Sequence, residues 1–160
     1  MSTSPQLLLA LDYGGTKHAA ALLRVGERTW AAHARVQSPL GADAAYDQAT
    51  MRRMAHGLLA QVPGRLAAIG VSFGGPVDAT RGLVRLSHHV PGWEDCPLRD
   101  QLQAEFGVPA AVDNDANVAA LGRVPRACCT SPSARGSAAA GCWAAASGAA
   151  PTAWPARSAT

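Results

Sequence analysis

The sequence predicts an α/β fold, a mixed sheet flanked by helices, over residues 1–122. Three observations lead to this prediction. A continuous apolar run occupies residues 6–13, two further strand-like segments follow it directly, and helix and strand patterns then alternate from residue 42 onwards. A meander of three strands followed by alternating helices and strands gives antiparallel pairing on one side of a sheet and parallel pairing on the other.

The first three elements are predicted to be strands. Residues 6–13 are apolar almost throughout, as is typical of a strand that is buried on both faces. Residues 18–25 form a second strand, and the Gly26-Glu27 pair marks a turn into a third strand over residues 28–36. The two glycines between the first and second segments leave room for a tight turn.

A helix is predicted over residues 42–61, with Tyr46, Ala49, Met54 and Leu58 roughly on one side. It ends before the Pro63-Gly64 pair. The remaining elements are a strand over 66–72, a helix over 97–106 that ends near Gly107, a short strand over 109–112, and a helix over 113–121 that opens in Asp-Asn-Asp.

Composition narrows the class of protein. The chain is 48% hydrophobic and 16% charged, its formal net charge is only +3, and Lys17 is its only lysine, so there is no basic block of the kind that binds nucleic acid. No apolar run approaches the roughly 18 residues of a membrane span, and residues 1–6 lack the positive start of a signal peptide. The four cysteines do not have zinc-pair spacing. We therefore expect a cytoplasmic protein with free thiols, without nucleic-acid or membrane partners.

The first motif is "DYGGTK", residues 12–17. Gly14 and Gly15 leave backbone amides unobstructed for a phosphate, Thr16 adds a hydroxyl donor and Lys17 a cation. Asp12 is an acid that can hold Mg2+ through water. A plain hairpin turn would also use two glycines, so this motif alone leaves both interpretations open.

Two further motifs follow predicted strands. "GVSFGGPVD", residues 70–78, carries Gly74 and Gly75 where backbone can lie against a ligand at the carboxyl edge of the sheet, although an ordinary turn would look the same. "VDNDAN", residues 112–117, brings Asn114 and Asp115 to a helix start. A carboxylate there can accept the proton of a hydroxyl group, and capping by Asp113 or Asn114 is the alternative.

The segment "LSHHVPGW", residues 86–93, carries no clear chemistry. Adjacent loop histidines such as His88 and His89 are usually solvated. Trp93, which follows Pro-Gly, is predicted to be a packing anchor rather than a platform for a sugar.

Taken together, and in their order along the chain, the four motifs at residues 12–17, 70–78, 86–93 and 112–117 resemble those of the ROK family. The name of this family joins repressors, unclassified reading frames and sugar kinases. The resemblance covers about residues 7–122. It implies the ribonuclease-H-like lobe of actin-like ATPases and sugar kinases, which agrees with the predicted order of elements.

The resemblance also implies an activity, the ATP-dependent phosphorylation of a hexose or an N-acetylhexosamine with Mg2+. By this resemblance Gly74 and Gly75 lie by the sugar, Asn114 contacts sugar hydroxyls, and Asp115 is the general base. ATP would approach the first loop, formed by Asp12, Gly14, Gly15, Thr16 and Lys17. Full-length relatives are usually homodimers, and many carry a zinc loop in their second half whose ligands are not visible here.

A sugar-responsive transcriptional repressor of the same family is the alternative function. Such repressors carry a winged helix-turn-helix before the first strand. Only about six residues precede that strand here, so the sequence favours a kinase.

Residues 123–160 differ in composition from the rest. They contain no Ile, Leu, Phe or Met and no acid, so they bury too little apolar surface to fold and are predicted to be disordered. Suppose that the last base of each codon is read together with the first two bases of the next codon. In this shifted frame the segment permits "STGIGGG" and "GEIGH". These strings resemble the family's second phosphate loop and its sugar-binding Glu and His. We hypothesise a frameshift near residues 122–124, which leaves a chain with little or no kinase activity, a non-catalytic remnant.

Overall fold

The computed structural model describes residues 4–123, with side chains to residue 120. The predicted tail, residues 123–160, lies outside the described residues apart from the backbone of Arg123, so its predicted disorder and its reading frame are not addressed by the structure. None of the helices within residues 4–123 is long and apolar enough to cross a membrane.

The fold is α/β, as predicted. A five-stranded mixed sheet has the strand order β3-β2-β1-β4-β7, and β5 and β6 form a separate short hairpin. The elements are β1 (Gln6–Tyr13), β2 (Lys17–Arg24), β3 (Trp30–Gln37), α1 (Ala44–Gln61), β4 (Arg65–Phe73), β5 (Val77–Asp78), β6 (Leu83–Val84), α2 (Leu98–Phe106), β7 (Ala110–Asn114) and α3 (Asp115–Arg123). Every predicted element is present, with ends that differ by up to two residues. The β5–β6 hairpin was not predicted, because two-residue strands are too short to show a period.

Strand β1 lies at the centre of the sheet. It pairs antiparallel with β2 and parallel with β4, and β4 pairs parallel with β7. Leu7, Leu9 and Leu11 are at most 1% exposed and belong to a single core with α1 and α2 residues such as Met51 and Leu102. Because side chains alternate along a strand, Ala10 and Asp12 lie on the opposite face, which is the face that α3 covers in part.

Helix α1 buries a different stripe from the predicted one. Tyr46 and Ala49 were expected on the core side with Met54 and Leu58, but both are exposed, so that part of the prediction is wrong. The buried stripe instead includes Asp47 and other residues: Ala44, Thr50, Met51, Met54, Ala55 and Leu58. A pattern of apolar residues cannot place an acid in a core, and Asp47 is buried because three donors reach its carboxylate.

Three strands end level at one edge of the sheet. Tyr13 of β1 is in register with Phe73 of β4, which is in register with Asn114 of β7. The strands are parallel, so their carboxyl ends meet at this edge. Ligands bind at such edges in open α/β sheets. The motifs at residues 12–17, 70–78 and 112–117 each include the end of one of these strands.

Candidate functional site

The two glycine loops touch each other at the carboxyl edge of the sheet. The Gly74 amide donates to the Tyr13 carbonyl oxygen at 2.9 Å. A Cβ atom on Gly74 would lie 3.3 Å from that oxygen and 3.8 Å from the Gly14 Cα atom. A side chain at position 74 would therefore crowd both loops, and its absence leaves room for their close approach.

The first loop is the hairpin turn between β1 and β2. The Gly14 amide donates to the Lys17 carbonyl oxygen at 3.2 Å, and a Cβ on Gly14 would lie only 2.8 Å from the same oxygen. The hairpin alternative is thus confirmed, and it accounts for Gly14. It does not exclude a phosphate, because Gly15 and Thr16 are exposed residues whose amides donate no hydrogen bond to any described residue.

Gly15 differs from its neighbours in the glycine loops. The three atoms nearest to a Cβ there all belong to the His89 side chain, the first at 3.4 Å, which is an ordinary contact. Nothing within the described chain therefore requires glycine at position 15. A ligand that approaches the Gly15 amide would require it.

Asp12 and Ser72 lie side by side on the sheet face that α3 partly covers. They are in register, and both line a cavity of about 550 Å³ together with Asp115 and the α3 residues Ala116 and Ala119. By strand alternation the Lys17 side chain starts on the same face. Lys17 is exposed and forms no ion pair with any residue of the described chain. Two acids therefore line this cavity, and a cation lies on the same face of the sheet at the start of β2.

The pKa of Asp12 is raised above its ordinary value. Loss of hydration on burial of the carboxyl is the largest cause, the polar side chain of Ser72 opposes it, and the negative charge of Asp115 adds to the rise. Two carboxylates that repel each other in this way are a favourable place for a cation. Their oxygen atoms are also the ligands that Mg2+ prefers.

Asp115 is the first residue of α3, directly after β7. One of its carboxylate oxygens, Oδ1, accepts the amide of Ala116 at 2.8 Å. The side chain is exposed and lines the cavity that Asp12 also lines. An exposed carboxylate at a strand's carboxyl end, beside two glycine loops, has the access that a general base needs.

Asn114 holds the second glycine loop to the start of α3. Its Nδ2 donates to the Gly75 carbonyl oxygen at 2.8 Å, and its Oδ1 accepts the Ala116 amide at 3.0 Å. The capping alternative for Asn114 is therefore confirmed. Gly75 is itself packed tightly, since a Cβ there would lie 2.8 Å from the Leu86 carbonyl oxygen. Contact of Asn114, Gly74 and Gly75 with a sugar remains a prediction.

The part of the chain that the structure describes holds no group of three or more His, Cys, Asp or Glu side chains that could bind a metal ion directly. Asp12 and Asp115 offer two carboxylates as oxygen ligands for a metal ion, and the hydroxyl of Ser72 lines the same cavity. Such a set suits Mg2+, which keeps several waters and is commonly held by one or two carboxylates together with phosphate groups.

Two features of the loop at residues 86–93 bear on the site. His88 and His89 are both exposed, as predicted, yet His89 lies against Gly15, which the sequence did not indicate. Trp93 is 1% exposed, so its predicted role as a packing anchor is confirmed. Its indole N–H donates to Asp47 at 3.3 Å, and this buried acid was also missed.

Comparison with known proteins assigns the chain to a family. The sequence profile of the ROK family matches residues 8–126. The chain belongs to the ROK family. The glucokinase of Streptomyces coelicolor is 31% identical over 116 residues, which are 72% of this chain and 35% of that protein. The crystal structure of a ROK family glucokinase from Streptomyces griseus, in complex with glucose and AMPPNP, is 29% identical with a TM-score of 0.62. The match covers 72% of this chain and 35% of that chain.

Repressors are also among the similar ROK proteins. The xylose repressor of Caldicellulosiruptor bescii is 36% identical over 62 residues, which are 39% of this chain and 15% of that protein. The chain spans about a third of the length of the two Streptomyces glucokinases named above. The likeness in sequence and structure supports the ribonuclease-H-like lobe of this family, which the order of elements predicted.

Proposed function

We propose that this chain is the N-terminal lobe of a ROK sugar kinase that phosphorylates a hexose or an N-acetylhexosamine at the expense of ATP. The observation that carries the proposal is the position of Asp115. Its exposed carboxylate stands at the edge where two glycine loops meet, in the same cavity as Asp12. A base, a cation site and free backbone amides are the parts that phosphoryl transfer to a hydroxyl group requires.

The proposed chemistry divides among these residues. ATP supplies the phosphoryl group, and Mg2+ neutralises charge on its oxygens. The free amides of Gly15 and Thr16 donate to phosphate oxygens, and Lys17 adds a positive charge beside them. Asp12 holds Mg2+ through water. Asp115 accepts the proton of the sugar hydroxyl as that oxygen attacks the γ-phosphorus, which raises the nucleophilicity of the oxygen in the transition state. The bond between the γ-phosphorus and the β,γ-bridging oxygen breaks, and ADP is the leaving group.

The sugar is proposed to lie between Asp115 and the second glycine loop. Gly74 and Gly75 offer backbone at this edge, and Asn114 adjoins both the loop and the base. Both polar atoms of the Asn114 side chain already have a partner. An amide oxygen has a second lone pair, and we expect that lone pair to accept a hydrogen bond from a sugar hydroxyl.

Residues from about Arg123 onwards are proposed to be an out-of-frame translation. The family profile ends at residue 126, close to the change in composition, which supports this proposal. Phosphoryl transfer needs groups on both sides of the reacting phosphate. We therefore expect the 160-residue chain to show little or no turnover, and a product with the frame restored to be active and dimeric.

Sugar-dependent control of transcription is a second candidate, favoured by the similarity to the xylose repressor. The two functions differ in the need for Asp115, because a sensor needs to bind a sugar but not to deprotonate it.

The experiment that separates these functions is an ATP–sugar coupled assay on the frame-restored product, with glucose, mannose, N-acetylglucosamine and N-acetylmannosamine. A kinase turns over at least one of these sugars. Sugar binding without turnover would favour the sensor instead.

A further inference from the structure

A buried acid joins four parts of the chain beneath the glycine loops. Asp47 lies in the first turn of α1 and is 2% exposed. Its Oδ1 atom accepts from His18 Nε2 at 2.7 Å and from Ser38 Oγ at 3.3 Å, and its Oδ2 atom accepts from Trp93 Nε1 at 3.3 Å. The donors come from the start of β2, the end of β3 and the "PGW" turn.

The histidine of this cluster is completely buried. His18 Nε2 is the ring nitrogen that faces Asp47. The other ring nitrogen, Nδ1, has no partner among the described residues. Burying the Asp47 carboxyl and an imidazole with one unpartnered nitrogen costs more folding free energy than burying apolar side chains of similar volume. The stability of the core alone therefore does not explain why Asp47 and His18 are polar.

Aromatic rings connect the cluster to both glycine loops. Tyr13 and Phe73 are the last residues of β1 and β4, and each directly precedes a loop glycine. Trp93 packs edge-to-face on both rings, with centroid distances of 5.4 Å to Tyr13 and 4.9 Å to Phe73. Tyr13 also packs edge-to-face on His18 at 5.8 Å. Directional hydrogen bonds at Asp47 thus fix the rings on which the two loops rest.

The acid and the glycine loops line the same small cavity. Its volume is only about 10 Å³, and Asp47, Trp93, Gly14, Gly15 and Gly74 are among the residues that line it. This volume is about that of one water-sized probe. A shift of the Asp47 carboxylate would therefore be transmitted to the loop backbone with little slack.

We propose that Asp47, His18 and Trp93 are positioning residues that hold the two glycine loops in register with each other. The inference concerns the geometry of the loops and stands whatever ligand they bind. Its immediate consequence is that two loop hydrogen bonds, Gly14 N–H to Lys17 and Gly74 N–H to Tyr13, depend on the charge and donors of a cluster that touches neither amide.

Native-state hydrogen exchange at the Gly14 and Gly74 amides of the 160-residue chain tests this proposal without any ligand. Asp47→Asn keeps the shape of the side chain but replaces an acceptor with a donor. His18→Gln keeps an N–H donor near the position of Nε2, whereas His18→Met has a similar length and no donor. Leu58→Ala, at the far end of α1, is the control because it lowers global stability through packing alone.

Asp47→Asn and His18→Met are expected to accelerate exchange at both glycine amides about tenfold or more relative to Leu58→Ala, under native conditions where these amides open locally. His18→Gln is expected to remain within about threefold of the unmodified chain. Equal exchange in His18→Met and His18→Gln would overturn the proposal. Acceleration in Leu58→Ala as large as that in His18→Met would overturn it as well, and the two histidine variants decide the matter even if Asp47→Asn does not fold.

Discussion

The Gly74 amide donates a 2.9 Å hydrogen bond to the carbonyl oxygen of Tyr13, and this bond joins the turn after β4 to the turn after β1. The two glycine motifs, which are about 60 residues apart in the chain, therefore form one surface. Asp115 reaches the same edge from β7. The candidate site is thus built where three parallel strands end, with every component on an adjacent strand.

Replacing Gly14 and Gly15 by alanine, one at a time, distinguishes a loop that binds phosphate from a hairpin turn that binds no ligand. Gly14→Ala is expected to cost about 1–3 kcal/mol in the free energy of unfolding, because its Cβ would lie 2.8 Å from a backbone oxygen. Gly15→Ala is expected to cost less than about 0.5 kcal/mol and yet to weaken Mg-ATP binding about tenfold or more, since its methyl group would cover the free amides. Urea unfolding and calorimetric titration measure the two effects. Unchanged Mg-ATP affinity in Gly15→Ala would leave only the hairpin role.

Asp12→Asn is expected to stabilise the fold at neutral pH. Since the pKa of Asp12 is raised in the folded chain, the folded state binds more protons than the unfolded state between the ordinary pKa of 3.8 and the raised pKa. Stability from this group is thus greatest at low pH and declines as pH rises through that window. The gain from Asp12→Asn at pH 7 should shrink as pH falls through the window. Urea unfolding at pH 7 and near pH 3.5 measures it.

The same substitution should impair function. Removing the Asp12 charge removes the proposed water-mediated hold on Mg2+, so Asp12→Asn is expected to raise the Mg2+ concentration required for turnover of the frame-restored product about tenfold or more. Asp100→Asn, a substitution of an exposed acid on α2, is the control. A variant that is destabilised at pH 7, or that needs no additional Mg2+, would contradict this assignment.

Asn114 is expected to contribute to stability through two separable contacts. Asn114→Ser keeps an oxygen that can cap α3 but loses the donor to Gly75, and should cost about 1 kcal/mol. Asn114→Ala loses the cap as well and should cost about 2 kcal/mol in total. Urea unfolding of the two variants measures each share. Equal stability of Asn114→Ser and the unmodified chain would show that the Gly75 contact has no net value.

Much of the fold could be predicted because its signals are local. The apolar run of β1 and the turn at Gly14-Gly15 each follow from a few consecutive residues, and the end of α2 at Gly107, with φ of 66°, follows from glycine's freedom in the left-handed region. The family resemblance added the order of motifs, which no single segment contains.

The parts that could not be predicted depend on contacts between distant residues. Asp47 interrupts the apolar stripe of α1, and only its three partners at positions 18, 38 and 93 explain its burial. His89 looked like a solvated loop residue and lies against Gly15, 74 positions earlier in the chain. The double use of Asn114, as a cap and as a link to Gly75, also requires the register of β4 with β7.

The central claim, that Asp115 is the base of a sugar kinase, is tested most directly by the turnover of the frame-restored product and of its Asp115→Asn variant, with ATP and the panel of four sugars. We expect phosphorylation of at least one sugar, and in Asp115→Asn a loss of about 10²–10⁴-fold in kcat with a nearly unchanged KM for the sugar. No phosphorylation of any of the four sugars, or a kcat for Asp115→Asn within a few fold of the unmodified enzyme, would contradict the account.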